Sequence, residues 1–130
     1  MEERIFTLAE AQSCLPRLRT LLAEISEVWS HIRELNPDVQ KAREKASVDG
    51  FSKFGVEYVE LVFHLMFLIH QIKDMGVVLK DADKGLCDFP YLRNGKVVYL
   101  CWQLGEESID YWHDMETGFA SREPLDDTDK

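Results

Sequence analysis

The segment YWHDMETGF places an imidazole and two carboxylates close together, at His113, Asp114 and Glu116. Such groups at the end of a strand can bind a divalent metal ion, or can act as a general acid and base. Asp88 or Cys101 would complete the set if the strand ending at His113 lies beside the strand that contains Cys101. In the structural interpretation, Asp114 caps a turn and His113 bonds to a backbone carbonyl. That interpretation is favoured, because loop carboxylates commonly stabilise turns.

The other chemically active side chains favour structural roles. The stretch at 81–85, DADKG, has some calcium-loop character but lacks the glycine spacing and the distal bidentate glutamate of such a loop, so a β-turn is predicted. Cys101 lies between Leu100 and Trp102 in a predicted strand, where a buried thiol packs as a small apolar group. His64 and His70 lie at a packing edge of a predicted helix. No glycine-rich phosphate loop is present in the sequence.

Composition restricts the class of protein. The chain has 130 residues, of which 45% are hydrophobic, so one domain with a real core is expected. Its 24 acidic and 15 basic residues give a net charge of −9, which argues against binding to nucleic acid. Three cysteines without a C-x-x-C pair predict reduced thiols. The longest apolar run, residues 61–69, is too short to span a membrane, and no signal segment is recognised, so a cytoplasmic protein without a membrane partner is expected.

Two helices must support any such site. Thr7 and Glu10 form a capping-box pattern that predicts a helix start near Leu8. Pro16 should bend the first turns, and Asn36-Pro37 predicts a kink or short break. Apolar residues of this first helix recur at alternating spacings of three and four, as in a coiled-coil seam. These heptad residues are Leu8, Ala11, Leu15, Leu18, Leu22, Ile25, Trp29 and Ile32.

The second helix, predicted over 56–75, is apolar around more than half of its circumference. It follows a linker over 47–55 and should end at Gly76, where a helix cap requires positive φ. One apolar stripe contains Tyr58, Leu61, Leu65, Leu68, Ile72 and Met75, and an adjacent one contains Val59, Val62, Phe63, Met66 and Ile69. We therefore expect this helix to be covered on two sides, by the first helix and by a sheet.

Beyond Gly76 the pattern alternates and predicts strands over 77–81, 86–92 and 97–104, with a short fourth strand over 109–113. Asn94-Gly95 predicts a two-residue type I′ turn, which pairs Phe89 with Leu100 and Cys87 with Trp102 on the core face. The reverse face then pairs Asp88 with Cys101. A three-residue turn at 83–85 would place Lys80 opposite Asp88 as an ion pair.

Several motifs together resemble an uncharacterised bacterial family, the domain of unknown function 2203. They are F-T-x-x-E-A from Phe6, Leu15-Pro16, G-V-x-L-K-D from Gly76, G-L-x-D-F-P from Gly85, L-C-W from Leu100, Y-W-H-D from Tyr111 and G-F-A-x-R from Gly118. The resemblance covers nearly the whole chain. It implies a small bacterial protein without an assigned activity, and it supplies no catalytic residue.

The predicted fold is α+β, with a long antiparallel helical hairpin over 7–75 packed on a three- to four-stranded antiparallel β-meander over 77–113. Residues 1–121 form one domain, and 122–130 form an acidic flexible tail. Two classes of function remain. The first is a non-catalytic scaffold that forms a homodimer through the heptad seam and presents the sheet or its WHD loop to a protein partner, with no cofactor. The second is a small metal-dependent enzyme or ligand-binding module that uses His113, Asp114 and Glu116, with Asp88, to hold a divalent metal.

Overall fold

The computed structural model describes residues 4–45 and 53–130, with side chains described over 4–35 and 55–130. It is an α+β structure. Three helices come first, α1 (Leu8–Ser13), α2 (Leu15–Lys45) and α3 (Lys53–Asp74). Five strands follow: β1 (Val78–Asp81), β2 (Leu86–Arg93), β3 (Lys96–Gln103), β4 (Tyr111–His113) and β5 (Glu123–Pro124). The strands form one antiparallel sheet in chain order, so the predicted meander has one more strand than expected.

The start of the helical region follows the prediction. The Thr7 hydroxyl accepts a bond from the Glu10 N–H, and the Glu10 carboxylate accepts one from the Thr7 N–H, which completes the capping box. The helix is interrupted at Cys14, just before Pro16, as a proline near that point predicts. Of the kink or short break expected at Asn36-Pro37, the break is wrong, because α2 continues through both residues. A proline removes one helical hydrogen bond, and a long helix can continue past that loss.

The heptad seam of the first helical region lies inside the chain itself. Apart from Leu8 and Trp29, which are partly buried, every seam residue is buried in the core. Residues at the start of α2 contact the end of α3. For example, the Arg17 guanidinium donates a hydrogen bond of 2.6 Å to the side-chain oxygen of Gln71. The seam therefore packs against the same chain and does not form a free surface for a second copy.

α3 is covered on one side only, which corrects the expectation of two covered sides. Leu68 and Ile72 are buried, and Tyr58, Leu61 and Leu65 are partly buried. In the adjacent stripe Val62 is partly buried, but the other residues are exposed, with Phe63 at 67% and Met66 at 58%. By length and composition the segment Gly55–Asp74 could cross a membrane, although it is only weakly hydrophobic (mean hydropathy 1.2). Of the linker predicted over 47–55, residues 47–52 lie outside the described residues, and residues 53–55 belong to α3, which begins earlier than predicted.

The central hairpin has the predicted register. Asn94 and Gly95 both have positive φ, 51° and 79°, as a type I′ turn requires, and Arg93 pairs with Lys96 across it. Phe89 then lies opposite Leu100, and Asp88 lies opposite Cys101. On the core face, the Phe89 ring meets Phe6 edge to face at 5.3 Å. The opposite face of the sheet, called here the outer face, carries Asp88 and Cys101, because side chains alternate along a strand.

The register of β1 differs from the prediction. Leu79 pairs with Cys87 and Asp81 pairs with Leu86, so Lys80 is the additional residue of a β-bulge. Lys80 therefore does not face Asp88 as a direct pair, and Val78 occupies that position. The turn is longer than predicted, because the Asp81 carboxylate accepts from the N–H groups of two turn residues. Lys80 instead places its ammonium 5.4 Å from the centre of the Tyr99 ring.

The C-terminal segment, predicted to be a flexible tail, packs against the sheet. β5 pairs with β4, and Leu125 is buried while its N–H donates to the Asp110 carbonyl over 2.9 Å. The Asp129 carboxylate accepts from the Tyr91 hydroxyl at 3.0 Å and from Arg93 Nε at 3.2 Å. Acidic composition indicated a solvated tail, but these two donors on β2 offset the repulsion among its carboxylates.

Candidate functional site

Pairing of β4 with β3 brings the predicted site residues of three strands together. His113 lies opposite Tyr99 and Tyr111 opposite Cys101, so His113 and Cys101 share the outer face of the sheet. Asp88 is the direct cross-strand partner of Cys101. One ligand atom from each of Asp88, Cys101 and His113 lies within 4.8 Å of the others. We call these three residues the Asp–Cys–His cluster.

His113 and Asp88 form a buried hydrogen-bonded pair. His113 Nε2 lies 3.1 Å from Asp88 Oδ1, and the two residues are 2% and 1% exposed. His113 Nδ1 lies 2.7 Å from the Asp114 carbonyl oxygen. A carbonyl can only accept, so Nδ1 carries a proton, and the contact between Nε2 and Oδ1 requires one more. The pair therefore holds a single shared proton, as imidazolium with carboxylate or as imidazole with carboxylic acid.

The second oxygen of the Asp88 carboxyl is a buried polar atom without a hydrogen-bond partner among the described residues. Burial raises the pKa of Asp88, and the opposing effects of His113, Lys80 and a weak interaction with the Cys101 thiol do not reverse that direction. A buried polar group without a partner is costly, so natural proteins rarely retain one without a reason. The carboxyl is thus the least satisfied group of the cluster.

The Cys101 thiol is protonated at neutral pH. Burial, and next the charge of Asp88, raises the pKa of Cys101 to about 11. Burial likewise raises the pKa of Cys87 to about 12. Because the nucleophile is the thiolate, neither side chain is an activated nucleophile in the protein alone. Cys87 faces the core and Cys101 the outer face, as predicted, so they do not form a disulfide.

The other two predicted site residues lie elsewhere. The Asp114 carboxylate forms an exposed ion pair with Lys96 at 3.1 Å, and only its backbone carbonyl reaches His113. Glu116 is exposed in the following turn and is absent from the cluster. The structure therefore brings together His113, Asp88 and Cys101, whereas the loop set His113, Asp114 and Glu116 does not converge.

Arg122 is a neighbour of the cluster that the sequence interpretation missed. Its guanidinium pairs with both carboxylate oxygens of Glu106 and stacks 3.9 Å from the centre of the Tyr111 ring and 4.3 Å from that of Phe119. It also lowers the pKa of Cys101, against the larger effect of burial. In the sequence Arg122 belongs to the G-F-A-x-R motif and to the start of the predicted tail, and neither feature indicates a contact with Glu106, 16 residues away.

Comparison with known proteins places the chain in a family. The family model described as "Uncharacterized conserved protein (DUF2203)" matches residues 4–125. The chain belongs to this family. The resemblance expected from the sequence motifs is thereby confirmed. Comparisons with curated proteins and with solved structures each gave no significant match.

In this DUF2203 protein two surface clefts formed by described residues lie away from the cluster. One of about 590 Å³ is lined by Leu8, Gln12 and Ile109 among others, and one of about 540 Å³ lies between α2 and α3 near His64 and Phe67. Neither includes a residue of the Asp–Cys–His cluster. A substrate site would need concave, accessible walls around its reactive groups. The three residues of the cluster are instead buried, each at most 2% exposed.

Proposed function

We propose that the protein is a non-catalytic interaction protein that self-associates as a homodimer. The interface is the exposed apolar side of α3, called here the α3 face, formed by Val56, Val59, Phe63, Met66, Phe67 and Ile69. The single observation that carries this proposal is the exposure of that face. Each of its six side chains is between 36% and 67% exposed. The proposal moves the interface from the heptad seam, whose residues pack within the chain, to α3.

The size of the α3 face supports a binding role. Isolated exposed apolar side chains are ordinary, but a contiguous patch of several large ones marks an interaction surface. Val56, Val59, Phe63 and Met66 follow one another at spacings of three, four and three, which is the spacing of a helix seam. A helix with this spacing is suited to pack against another helix.

The charges flanking the α3 face favour a second copy in antiparallel orientation. Acidic Glu57 and Glu60 lie toward its start, and Lys73 lies toward its end, next to a surface pair of His70 with Asp74. With Phe63 against Met66 of the second copy, an antiparallel pair brings Glu57 near Lys73 of that copy. A two-fold axis repeats each contact, so every complementary pair occurs twice.

A membrane is a poorer partner for the same face. Insertion would transfer Glu57 and Glu60 toward the hydrocarbon, which is costly for carboxylates. A chain with a net charge of −9 is also repelled by an anionic lipid surface. We therefore propose a cytoplasmic protein.

We further propose that α2 and α3 form an antiparallel hairpin, supported by the contact between Arg17 near the start of α2 and Gln71 near the end of α3.

The alternative function, a metal-dependent enzyme using His113, Asp114 and Glu116, has less support. Its three groups do not converge, and the clefts described above lie elsewhere. A non-catalytic role requires no such convergence, and the α3 face supplies the surface that it needs.

Light scattering coupled to size exclusion tests the proposal at micromolar concentration. The wild-type chain should elute with twice the monomer mass of 15.1 kDa, and Phe63→Glu should elute as a monomer because it places a charge in the centre of the α3 face. Leu92→Glu is the matched control, since Leu92 is a 55% exposed apolar residue on the sheet, and this variant should remain dimeric. A monomeric wild-type chain, or a dimer that Phe63→Glu leaves intact, would show that the proposal is wrong.

A further inference from the structure

We propose that Asp88, Cys101 and His113 form a buried binding site for one divalent transition-metal ion of the zinc class. A carboxylate oxygen, a thiolate sulfur and an imidazole nitrogen are all established zinc ligands. Three different strands supply them, which places the ion between neighbouring strands on the outer face of the sheet. This site differs from the loop set His113, Asp114 and Glu116, and it is independent of self-association through α3.

The distances fit a metal after a small contraction. The three ligand atoms lie within 4.8 Å of one another, and Nε2 and Oδ1 are already 3.1 Å apart. Ligand atoms around tetrahedral zinc are separated by roughly 3.3–3.7 Å, given bond lengths near 2.0–2.3 Å. A rotation of the Cys101 and Asp88 side chains supplies the difference without a change of strand register. Three protein ligands leave the fourth tetrahedral position for a water molecule.

Two further observations point to a ligand in the cluster. Asp88 Oδ2 is buried and has no hydrogen-bond partner among the described residues, so it has a free lone pair beside the other ligand atoms. His113 Nδ1 donates to the Asp114 carbonyl, which fixes the ring and leaves Nε2 as the coordinating atom. A metal-bound histidine typically donates its other ring N–H to such a backbone or carboxylate oxygen.

Charge balance makes binding possible at this depth. In the neutral form of the cluster, Asp88 and His113 share one proton and the Cys101 side chain is a thiol. Binding of M²⁺ forms M–O, M–N and M–S bonds and releases both protons to solvent. The carboxylate and the thiolate then balance the two charges of the ion, so the net charge of the buried site does not change. A free buried charge would be costly, and this exchange avoids it.

The ligand set also selects the class of ion. Thiolate sulfur favours zinc, cobalt and related transition metals over magnesium and calcium, which prefer sets of oxygen ligands. Because the three residues are at most 2% exposed, the ion would hold β2, β3 and β4 together and would not meet a substrate. Its expected effect is therefore a gain in stability.

Cobalt(II) titration of chelator-treated full-length protein tests the site, because cobalt replaces zinc and gives a thiolate-to-metal charge-transfer band. One cobalt per chain should bind with that band, zinc should displace it, and magnesium should not. Calorimetry in buffers of different ionisation enthalpy should show release of two protons per ion. Cys101→Ser should abolish the band, and Asp88→Asn should weaken binding by more than about 100-fold, above the loss typical of an outer-shell change.

The matched controls are Glu116→Gln, which removes a nearby carboxylate outside the cluster, and Cys14→Ser, which removes a different thiol. Both should bind cobalt like the wild type. If Cys101→Ser does not fold, the Asp88→Asn protein still decides, because a cobalt site without Asp88 among its ligands would bind the ion like the wild type. Absence of the band in folded protein, a band that survives Cys101→Ser, or release of fewer than one proton per ion would overturn the proposal.

Discussion

Replacing His113 with leucine should lower the free energy of unfolding by about 3 kcal/mol or more in metal-free protein at pH 7. Leucine retains much of the imidazole volume but removes the contact with Asp88 Oδ1 at 3.1 Å. Asp88 is 1% exposed and its other oxygen already has no hydrogen-bond partner among the described residues, so the carboxyl would keep only its weak interaction with the Cys101 thiol. Breaking a buried pair in this way costs about 3–5 kcal/mol, a large part of the 5–15 kcal/mol that typically stabilises a domain.

Urea unfolding followed by tryptophan fluorescence, with a chelator present, measures this difference. The control is His70→Ala, which breaks the same type of pair on the surface. His70 lies 3.4 Å from Asp74 with side chains 67% and 65% exposed, so its loss should cost under about 1 kcal/mol. The double variant Asp88→Leu, His113→Leu removes both polar groups and should be more stable than His113→Leu alone. A loss for His113→Leu no larger than that of the control would refute this reasoning.

Three further changes test other parts of the fold. Burial alone would raise the pKa of Glu106, but hydrogen bonds from Arg122 and a backbone N–H lower this pKa, so the wild-type protein should lose stability as pH falls below about 4.5. Glu106→Gln should lack this acid-dependent loss, and acid titration of both proteins checks it. Both Gly85 and Gly95 have positive φ, so replacing Gly95 with alanine should cost roughly 1 kcal/mol of stability. Gly85→Ala should cost more, because its new Cβ would lie 2.5 Å from Cβ of Leu104. Equal urea midpoints for the two variants would contradict this. Thr7→Ala should lower the free energy of unfolding by about 1 kcal/mol through loss of the helix cap, as measured by chemical denaturation.

The parts of the fold set by local chemistry were predictable from the sequence. Asn94-Gly95 determines a type I′ turn, and that turn fixes the register of every pair from Arg93–Lys96 to Cys87–Trp102. The capping box at Thr7 and the positive φ of Gly76 were confirmed for the same reason. In each case a few adjacent residues decide the backbone conformation.

The errors concern contacts between segments that are distant in sequence. Periodicity showed that α3 is broadly apolar but not which neighbours cover it, because that depends on where α2 and the sheet lie. The bulge at Lys80 depends on the turn that the Asp81 side chain stabilises, and turn length was misjudged by one residue. The C-terminal segment is held by bonds from Tyr91 and Arg93 to Asp129. The acidic composition of that segment alone could not predict these bonds, because both donors lie more than 30 residues earlier in the sequence.

The candidate site shows the same division. The sequence identified the Asp88–Cys101 pair through the hairpin register, and it placed His113 at the end of the fourth strand. It grouped His113 with Asp114 and Glu116 because they are adjacent in sequence. Alternation along a strand directs neighbouring side chains to opposite faces, so sequence neighbours seldom converge, whereas residues on paired strands do. Cross-strand register was therefore a better guide to the site than local motif spacing.

The two proposals rest on opposite sides of the molecule. The α3 face belongs to the helices, which pack on the core face of the sheet through contacts such as Arg19 with the Trp102 ring. The Asp–Cys–His cluster lies on the outer face of the same sheet. Residues without shared contacts change stability and binding independently. Loss of dimerisation therefore leaves the metal site intact, and loss of the metal site leaves the α3 face intact, so each proposal is judged by its own experiment.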